Sequence, residues 1–128
     1  MMANELILIV EDNEKNLKLA RDILQFKGFR TLDAATAEQA ILLAAQHTPD
    51  LILMDIQLPG MDGLTALTHL RGDPRTAAIP VVALTALAMK EDRERFLNAG
   101  FTGYLTKPIS VREFADQVRA FCTPRGTV

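Results

Sequence analysis

The chain carries the stretch LILIVED at residues 6–12, in which five aliphatic residues are followed directly by two acids. An apolar run of strand length without polar alternation is typical of a strand that is covered on both faces. The stretches LILMD at residues 51–55 and VVALT at residues 81–85 repeat this arrangement, each with a polar residue at its end. In parallel α/β sheets, functional groups collect at the carboxyl ends of such strands. These stretches therefore predict three central strands and a site at their carboxyl ends.

Working outward from these runs, the sequence predicts five strands, each followed by a segment of helical length. They are residues 6–10, 29–33, 50–54, 80–84 and 102–106. Strands that alternate with helices pair in parallel through right-handed crossovers, which defines an α/β fold. The second strand, FRTLD, is more polar than the others, so we expect it at an edge of the sheet.

Helix boundaries are indicated by local signals. The capping-box pattern occurs as TAEQ at residues 36–39 and as SVRE at residues 110–113, and Gly28 and Gly100 stand where a helix would end in a left-handed residue. We expect the last helix to bury a stripe formed by Val111, Phe114, Ala115, Val118, Phe121 and Cys122. Cys122 is the lone cysteine, and simple packing is the expected role.

Composition limits the classes of function. The 128 residues, 48% of them hydrophobic, suit one domain, and we interpret residues 1–128 as a single domain without an output domain. A net charge of −2, without a basic cluster, provides little attraction for nucleic acid or an anionic membrane, so protein partners are expected. No apolar run approaches the roughly 18 residues of a membrane span, and the N-terminus lacks signal-peptide character. We expect a cytoplasmic protein.

Three acids are predicted to meet at the strand ends. Glu11, Asp12 and Asp55 would repel one another there unless a cation bridged them or a proton neutralised them. Mg²⁺ prefers oxygen ligands and uses one or two carboxylates, whereas zinc would require nearby His or Cys. The alternatives are that Glu11 and Asp12 cap a helix and that Asp55 introduces a turn. Because three carboxylates at strand ends cannot all cap one helix, we favour a magnesium site.

Asp55 is the candidate nucleophile for a phosphoryl group. Transfer of that group needs positioning and charge neutralisation, which Lys107 can supply; the alternative is a surface lysine. Thr85 is a candidate hydroxyl donor to a phosphoryl oxygen, with the small Ala86 leaving space for the phosphodonor, although threonine is also common in strands. Tyr104 lies within the fifth strand, with its ring either partly in the core or in solvent.

Taken together, these residues resemble the receiver domain of two-component response regulators over essentially the whole chain. The similar parts are the acids at residues 11–12, DLILMDIQLPGMDG at 50–63, VVALTALAM at 81–89, Tyr104, and KP at 107–108. Three further stretches resemble single-domain regulators of cell division and the cell cycle. They are VEDNEKN at residues 10–16, ALAMKEDRERFLNAGF at 86–101 and KPISVREF at 107–114. The resemblance implies a flavodoxin-like, doubly wound (βα)5 fold whose five-stranded parallel sheet has the order 2-1-3-4-5.

The resemblance also implies phosphotransfer from a sensor histidine kinase or a histidine phosphotransfer protein onto Asp55. Mg²⁺ would be held by Asp12, Asp55 and the backbone carbonyl of Gln57, with Glu11 helping through water. Glu11 replaces the commoner first aspartate of this acidic pair. The domain would act catalytically only on itself, in phosphorylation and dephosphorylation, and would not be an enzyme with an external substrate.

The implied switch consists of Thr85 and Tyr104, which would reorient together on phosphorylation. They would alter a face built from helix four, strand five and helix five, where a downstream protein would bind. Gln57 and Leu87, together with Ala86, would control how water and the donor reach the phosphoryl group.

Three other functions remain as alternatives. A haloacid-dehalogenase-like phosphatase would need Asp-x-Asp after the first strand, where this chain has Asp12-Asn13-Glu14. A flavodoxin-type nucleotide binder would need backbone amides in a glycine-containing first loop, which is acidic here. An interaction module that works without phosphorylation would keep the fold but not the chemistry.

Overall fold

Within the residues that the structure describes, the fold alternates five strands with five helices. In the computed structural model of the chain, residues 5–58, 60–86 and 89–122 are described. The strands are β1 (Leu6–Val10), β2 (Arg30–Ala34), β3 (Leu51–Asp55), β4 (Val81–Thr85) and β5 (Gly103–Thr106). The helices are α1 (Glu14–Phe26), α2 (Ala37–His47), α3 (Gly63–Arg71), α4 (Lys90–Ala99) and α5 (Phe114–Phe121).

All strand pairs are parallel, and the sheet has the order β2-β1-β3-β4-β5. This order confirms the flavodoxin-like prediction and places the polar strand β2 at an edge. Strands β2, β3 and β4 each lie one residue further along the chain than predicted, and β5 begins one residue later than predicted but ends where expected. Asp50 shows the cause for β3, because its carboxylate accepts a hydrogen bond from the Leu6 amide at 2.8 Å while Leu51 begins the ladder. Asp55 and Thr85 are therefore the last strand residues.

Two apolar layers cover the sheet, as the uninterrupted aliphatic runs predict. On one face, alternate strand residues such as Leu8, Ile52 and Ala83 join the core beneath α2, α3 and α4. On the other face, residues such as Ile9 and Leu53 join the core beneath α1 and α5. β3 and β4 are buried along their whole lengths, including Asp55 and Thr85 at their carboxyl ends.

The helix signals are confirmed in part. The Thr36 side chain caps α2 by accepting from the Gln39 amide at 3.1 Å, and Gly28 and Gly100 have positive φ angles at the ends of α1 and α4. The capping box predicted at Ser110 is wrong. Residues 111–113 form a turn, α5 begins only at Phe114, and no side chain caps it.

The predicted stripe of the last helix is correct except at its first position. Val111 is 62% exposed, because it lies in the turn before α5 and does not face the core. Phe114, Ala115 and Val118 are buried. Cys122 is also buried, and burial raises the pKa of its thiol to about 11, which agrees with a packing role.

None of the helices in the described ranges has the length and apolar character that crossing a bilayer requires.

Gly63 packs directly against the end of β3, which yields a prediction about stability. A Cβ at this position would lie 3.0 Å from the Asp55 carbonyl oxygen and 3.1 Å from the Ile56 Cα atom. Because both are backbone atoms, Gly63→Ala is expected to lower the free energy of unfolding by about 1–3 kcal/mol through overpacking. The measurement is urea denaturation.

Gly72→Ala is the matched control for this overpacking. Its added Cβ would meet the Thr68 carbonyl oxygen at 3.4 Å and the His69 carbonyl oxygen at 3.7 Å. These are looser contacts, so the free energy of unfolding should change by less than about 1 kcal/mol. Equal losses of stability in the two variants would contradict the close packing at Gly63.

Candidate functional site

The site lies where β1 and β3 end side by side. Val10 of β1 is in register with Met54 of β3, so the following residues, Glu11 and Asp55, are neighbours across the sheet. One carboxylate oxygen each from Glu11, Asp12 and Asp55 lies within 4.8 Å of the other two. Glu11 and Asp55 are only 3% and 5% exposed, whereas Asp12 faces solvent. The three acids thus meet as predicted, with two of them buried.

Lys107 lies between the two buried carboxylates. Its Nζ atom is 2.8 Å from Asp55 Oδ2 and 3.0 Å from Glu11 Oε1. The Lys107 backbone amide donates to the Thr85 carbonyl oxygen at 2.9 Å, which ties the residue to the end of β4, and the peptide bond to Pro108 is cis. Lys107 is therefore part of the acidic site and is not a freely solvated lysine.

Each buried carboxylate uses its second oxygen to accept from a backbone amide. Glu11 Oε2 accepts from the Asn13 amide at 3.2 Å, and Asp55 Oδ1 accepts from the Gln57 amide at 2.9 Å. The cap of α1 is Asn13, so the alternative in which Glu11 or Asp12 caps this helix is wrong. The turn interpretation of Asp55 is correct in part, because its bond to Gln57 is of the local aspartate-turn type.

The electrostatics of the site reflect burial and close charges. Burial raises the pKa of Glu11, and the nearby Asp55 raises it further, while Lys107 partly opposes both effects. For Lys107, burial alone would lower the pKa, but hydrogen bonds and attraction to Asp55 and Glu11 outweigh it and raise the value. The two acids therefore favour the charged form of the lysine. Its single charge only partly compensates three carboxylates.

This incomplete compensation fits a bound divalent cation. The donor set is entirely carboxylate oxygen, from Glu11, Asp12 and Asp55, and hard cations such as Mg²⁺ prefer such ligands. Asp12 is exposed and can present its oxygens to a hydrated ion. The role of the Gln57 carbonyl as a further ligand stays a prediction.

Thr85 and Tyr104 lie on one face of the sheet. Thr85 ends β4, is 2% exposed, and points to the same side as Ala83. Ala83 belongs to the core cluster against which the half-buried Tyr104 packs, and these two residues are in register. The structure thus brings the two predicted switch residues to neighbouring strands on one face. Ala86 is exposed beside them, and Leu87 lies outside the described residues.

Sequence reasoning missed the partner of Tyr104. Arg93 of α4 donates a hydrogen bond from Nη1 to the phenolic oxygen at 2.9 Å. Its guanidinium carbon also lies 5.7 Å from the ring centroid. No motif marked this arginine, and only its place in the first turns of the helix before β5 could have pointed to it.

A cavity of about 360 Å³ opens beside the acidic site, between α1 and the segment that follows β5. Its wall includes Glu11 and Lys107 together with the apolar side chains of Leu19, Pro108 and Ile109. The acidic site is therefore bordered by an open cavity with an apolar wall.

Comparison with known proteins agrees with this chemistry. The family model described as "Response regulator receiver domain" matches residues 7–119. The polar-differentiation response regulator DivK of Brucella ovis is 45% identical over 115 residues, which cover 90% of this chain and 94% of that protein.

Solved structures show the same similarity. The receiver domain of a sensor histidine kinase from Pseudomonas aeruginosa, solved with a magnesium ion in its active-site cleft, has a TM-score of 0.84 and 36% identity. The match covers 93% of this chain and 98% of that one. The receiver domain of Francisella response regulator 1452 has a TM-score of 0.84 and 29% identity, over 92% of this chain and 96% of that one.

Proposed function

The chain belongs to the response regulator receiver domain family, and on this premise we propose that Asp55 accepts a phosphoryl group from a phosphohistidine and thereby controls a protein-binding face. The observation that carries the proposal is the position of Lys107, whose Nζ lies 2.8 Å from Asp55 Oδ2 inside a cluster of three acids. A buried aspartate beside a fixed cation is suited to attack phosphorus.

In the proposed reaction, a carboxylate oxygen of Asp55 forms a bond to phosphorus while the N–P bond to the donor histidine breaks. The electron pair of that bond stays with the leaving imidazole nitrogen. The transition state is loose, so the protein contributes mainly position and charge. Lys107 supplies a positive charge next to Asp55, and the buried end of β3 fixes the direction of attack.

Glu11, Asp12 and Asp55 would hold Mg²⁺ in this mechanism, with the Gln57 carbonyl as an additional ligand. The ion would supply neutralisation of the negative charge that builds on the phosphoryl oxygens. The residues fit this role because their oxygens already converge within 4.8 Å.

The proposed output follows from the position of Thr85 and Tyr104. An added phosphoryl group brings charge and strong acceptor oxygens, which the Thr85 hydroxyl and the Lys107 ammonium would meet. Movement of Thr85 would free space for the Tyr104 ring on the same sheet face. The surface formed by α4, β5 and α5 would change and bind a downstream protein in the cytoplasm.

The cavity beside the acidic site supports a protein as the phosphodonor. Its apolar wall next to Lys107 offers a surface for a sensor histidine kinase or a histidine phosphotransfer protein. Apart from its own phosphorylation and dephosphorylation, the domain would catalyse no reaction. That residues 1–128 act as a single domain without an output domain stays a prediction.

The metal part of the proposal is tested by titration with Mg²⁺, followed by the amide NMR signals of Asp12 and Asp55. Saturation at millimolar concentrations is expected, and Asp12→Asn should weaken the affinity by about tenfold or more through loss of a ligand. Asp116→Asn, which removes an exposed acid from α5, is the matched control and should bind as the parent does. Equal affinities of both variants would reject the metal site.

A further inference from the structure

Arg93 and Tyr104 join the first turns of α4 to the edge strand β5. The guanidinium both donates to the phenolic oxygen, at 2.9 Å, and lies near the ring, 5.7 Å from its centroid. A cation beside an aromatic ring and a charged donor to its hydroxyl are separate attractions. Rotation of the ring away from this position would move the phenolic oxygen away from the guanidinium and break the hydrogen bond. The two contacts therefore favour one orientation of Tyr104.

Among the described residues, the contact of Arg93 with Tyr104 does not compete with an ion pair. In the part of the chain that the structure describes, no carboxylate lies within ion-pair distance of its guanidinium. Arg95, two residues further along the same helix, instead pairs with Asp92 at 3.9 Å and lies over the Phe96 ring. Both arginines are exposed and carry the same charge, and within the described residues the contact with Tyr104 is made by Arg93.

The ring of Tyr104 lies at a boundary between core and solvent. Its inner edge packs against the core cluster that contains Ala83, its neighbour in β4, and Thr85 is on the same face of that strand. An inward rotation would bring the phenol toward Thr85 and remove it from the surface. The outward orientation is therefore the one that Arg93 stabilises.

The start of α4 is the less firmly held end of that helix. Its N-cap residue, Met89, makes no side-chain capping hydrogen bond and is largely exposed. The other end is fixed by Gly100, whose carbonyl oxygen accepts from Arg71 at 3.1 Å. The contact of Arg93 with Tyr104 thus ties the weaker end of α4 to the sheet.

We propose that Arg93 is a positioning residue that holds Tyr104 outward in the unphosphorylated protein. It thereby lowers the population of the active arrangement, in which the ring is turned inward. The inference rests on the proposed function, since it gives the tyrosine a role in switching. Surface contacts of this kind should bias the two orientations by about tenfold. Phosphorylation of Asp55 would have to overcome this bias to turn the ring inward.

The test uses NMR on the whole chain, in which Tyr104 is the single tyrosine. Incorporated 3-fluorotyrosine therefore gives a fluorine signal from Tyr104 alone. Amide signals of Thr85 and Thr106 provide a second readout that does not depend on the fluorine label. Their positions in the unphosphorylated parent and in the parent phosphorylated on Asp55 define the two end states.

In unphosphorylated Arg93→Ala, the chemical shifts of the Thr85 and Thr106 amides should lie between those of the unphosphorylated parent and those of the phosphorylated parent. The displacement should correspond to a rise of about tenfold in the ratio of inward to outward tyrosine. Arg95→Ala, the matched control, should leave these signals at the parental positions. In the background of Tyr104→Phe, which lacks the phenolic oxygen but keeps the ring, Arg93→Ala should displace them less, because only the contact with the ring remains to be lost.

Two results would overturn the inference in distinguishable ways. If the parent responds to phosphorylation but Arg93→Ala and Arg95→Ala give the same signals, the role of Arg93 is wrong and the proposed function stands. If the parent takes up no phosphoryl group at Asp55, the proposed function itself is wrong, and the role of Arg93 falls with it.

Discussion

Asp55→Asn is expected to abolish phosphorylation of the protein. With Mg²⁺ and acetyl phosphate, the parent should gain the mass of one phosphoryl group, whereas the variant should gain none. An amide is a poor nucleophile toward phosphorus, so the rate should fall by at least about a thousandfold. Intact-protein mass spectrometry measures both the extent and the rate.

The substitution is suited to the question because it changes little besides charge. The amide oxygen of asparagine can still accept from the Gln57 amide, as Asp55 Oδ1 does at 2.9 Å. A folded but unphosphorylated variant therefore separates chemistry from stability. Circular dichroism and the midpoint of urea unfolding establish that the variant is folded.

Asp62→Asn is the matched control for Asp55→Asn. Asp62 lies at the end of the loop that joins β3 to α3. Its side chain caps α3 by accepting from the Thr65 amide at 2.8 Å. Asparagine caps helices about as well as aspartate, so this variant should be phosphorylated like the parent. A phosphoryl group that still appears on Asp55→Asn would reject Asp55 as the acceptor.

Lys107→Ala should have the second-largest effect, because it leaves two buried carboxylates facing each other. Glu11 and Asp55 both lie within 3.0 Å of the lysine nitrogen, and removal of one member of a buried charge cluster is strongly destabilising. Since Lys107 is 24% exposed, we expect a loss of about 1–3 kcal/mol in the free energy of unfolding without Mg²⁺. Urea denaturation at neutral pH measures this loss.

Mg²⁺ should restore more stability to Lys107→Ala than to the parent, because the ion takes over the charge that the ammonium supplied. The variant should still bind Mg²⁺, but the amide signals of Thr85 and Thr106 should respond weakly to phosphorylation. Lys18→Ala removes an exposed lysine that pairs with Asp22 four residues on, and should cost at most about 0.5 kcal/mol. If Lys107→Ala were as stable as Lys18→Ala and switched like the parent, the role of Lys107 would be wrong.

The chain's local patterns were enough to predict the parallel sheet, the position of β2 at an edge and the acids at the strand ends, whereas the full strand order came from the family resemblance. LILIV, LILM and VVAL are buried strands because an aliphatic run of this length has no solvated face, and parallel pairing then carries their end residues to one place. The roles of Thr36, Gly28 and Gly100 at helix ends were equally predictable, because a helix cap depends on residues only a few positions apart. The roles predicted for the acids and for the switch residues Thr85 and Tyr104 came from the family resemblance.

The direct contacts between distant parts of the chain could not be predicted in this way, although Lys107 was expected to act near Asp55. Lys107 and Asp55 are 52 positions apart, and Arg93 and Tyr104 are 11 apart on different elements. Whether such side chains meet depends on how helices and strands pack, which residue patterns do not encode locally. Ser110 and Val111 show the reverse case, because their pattern predicted the start of a helix, whereas residues 111–113 form a turn and α5 begins at Phe114. The sequence by itself therefore determined the parallel architecture and the meeting of the acids, whereas the ion pairs of Lys107 and the partner of Tyr104 were decided only by how the layers pack together.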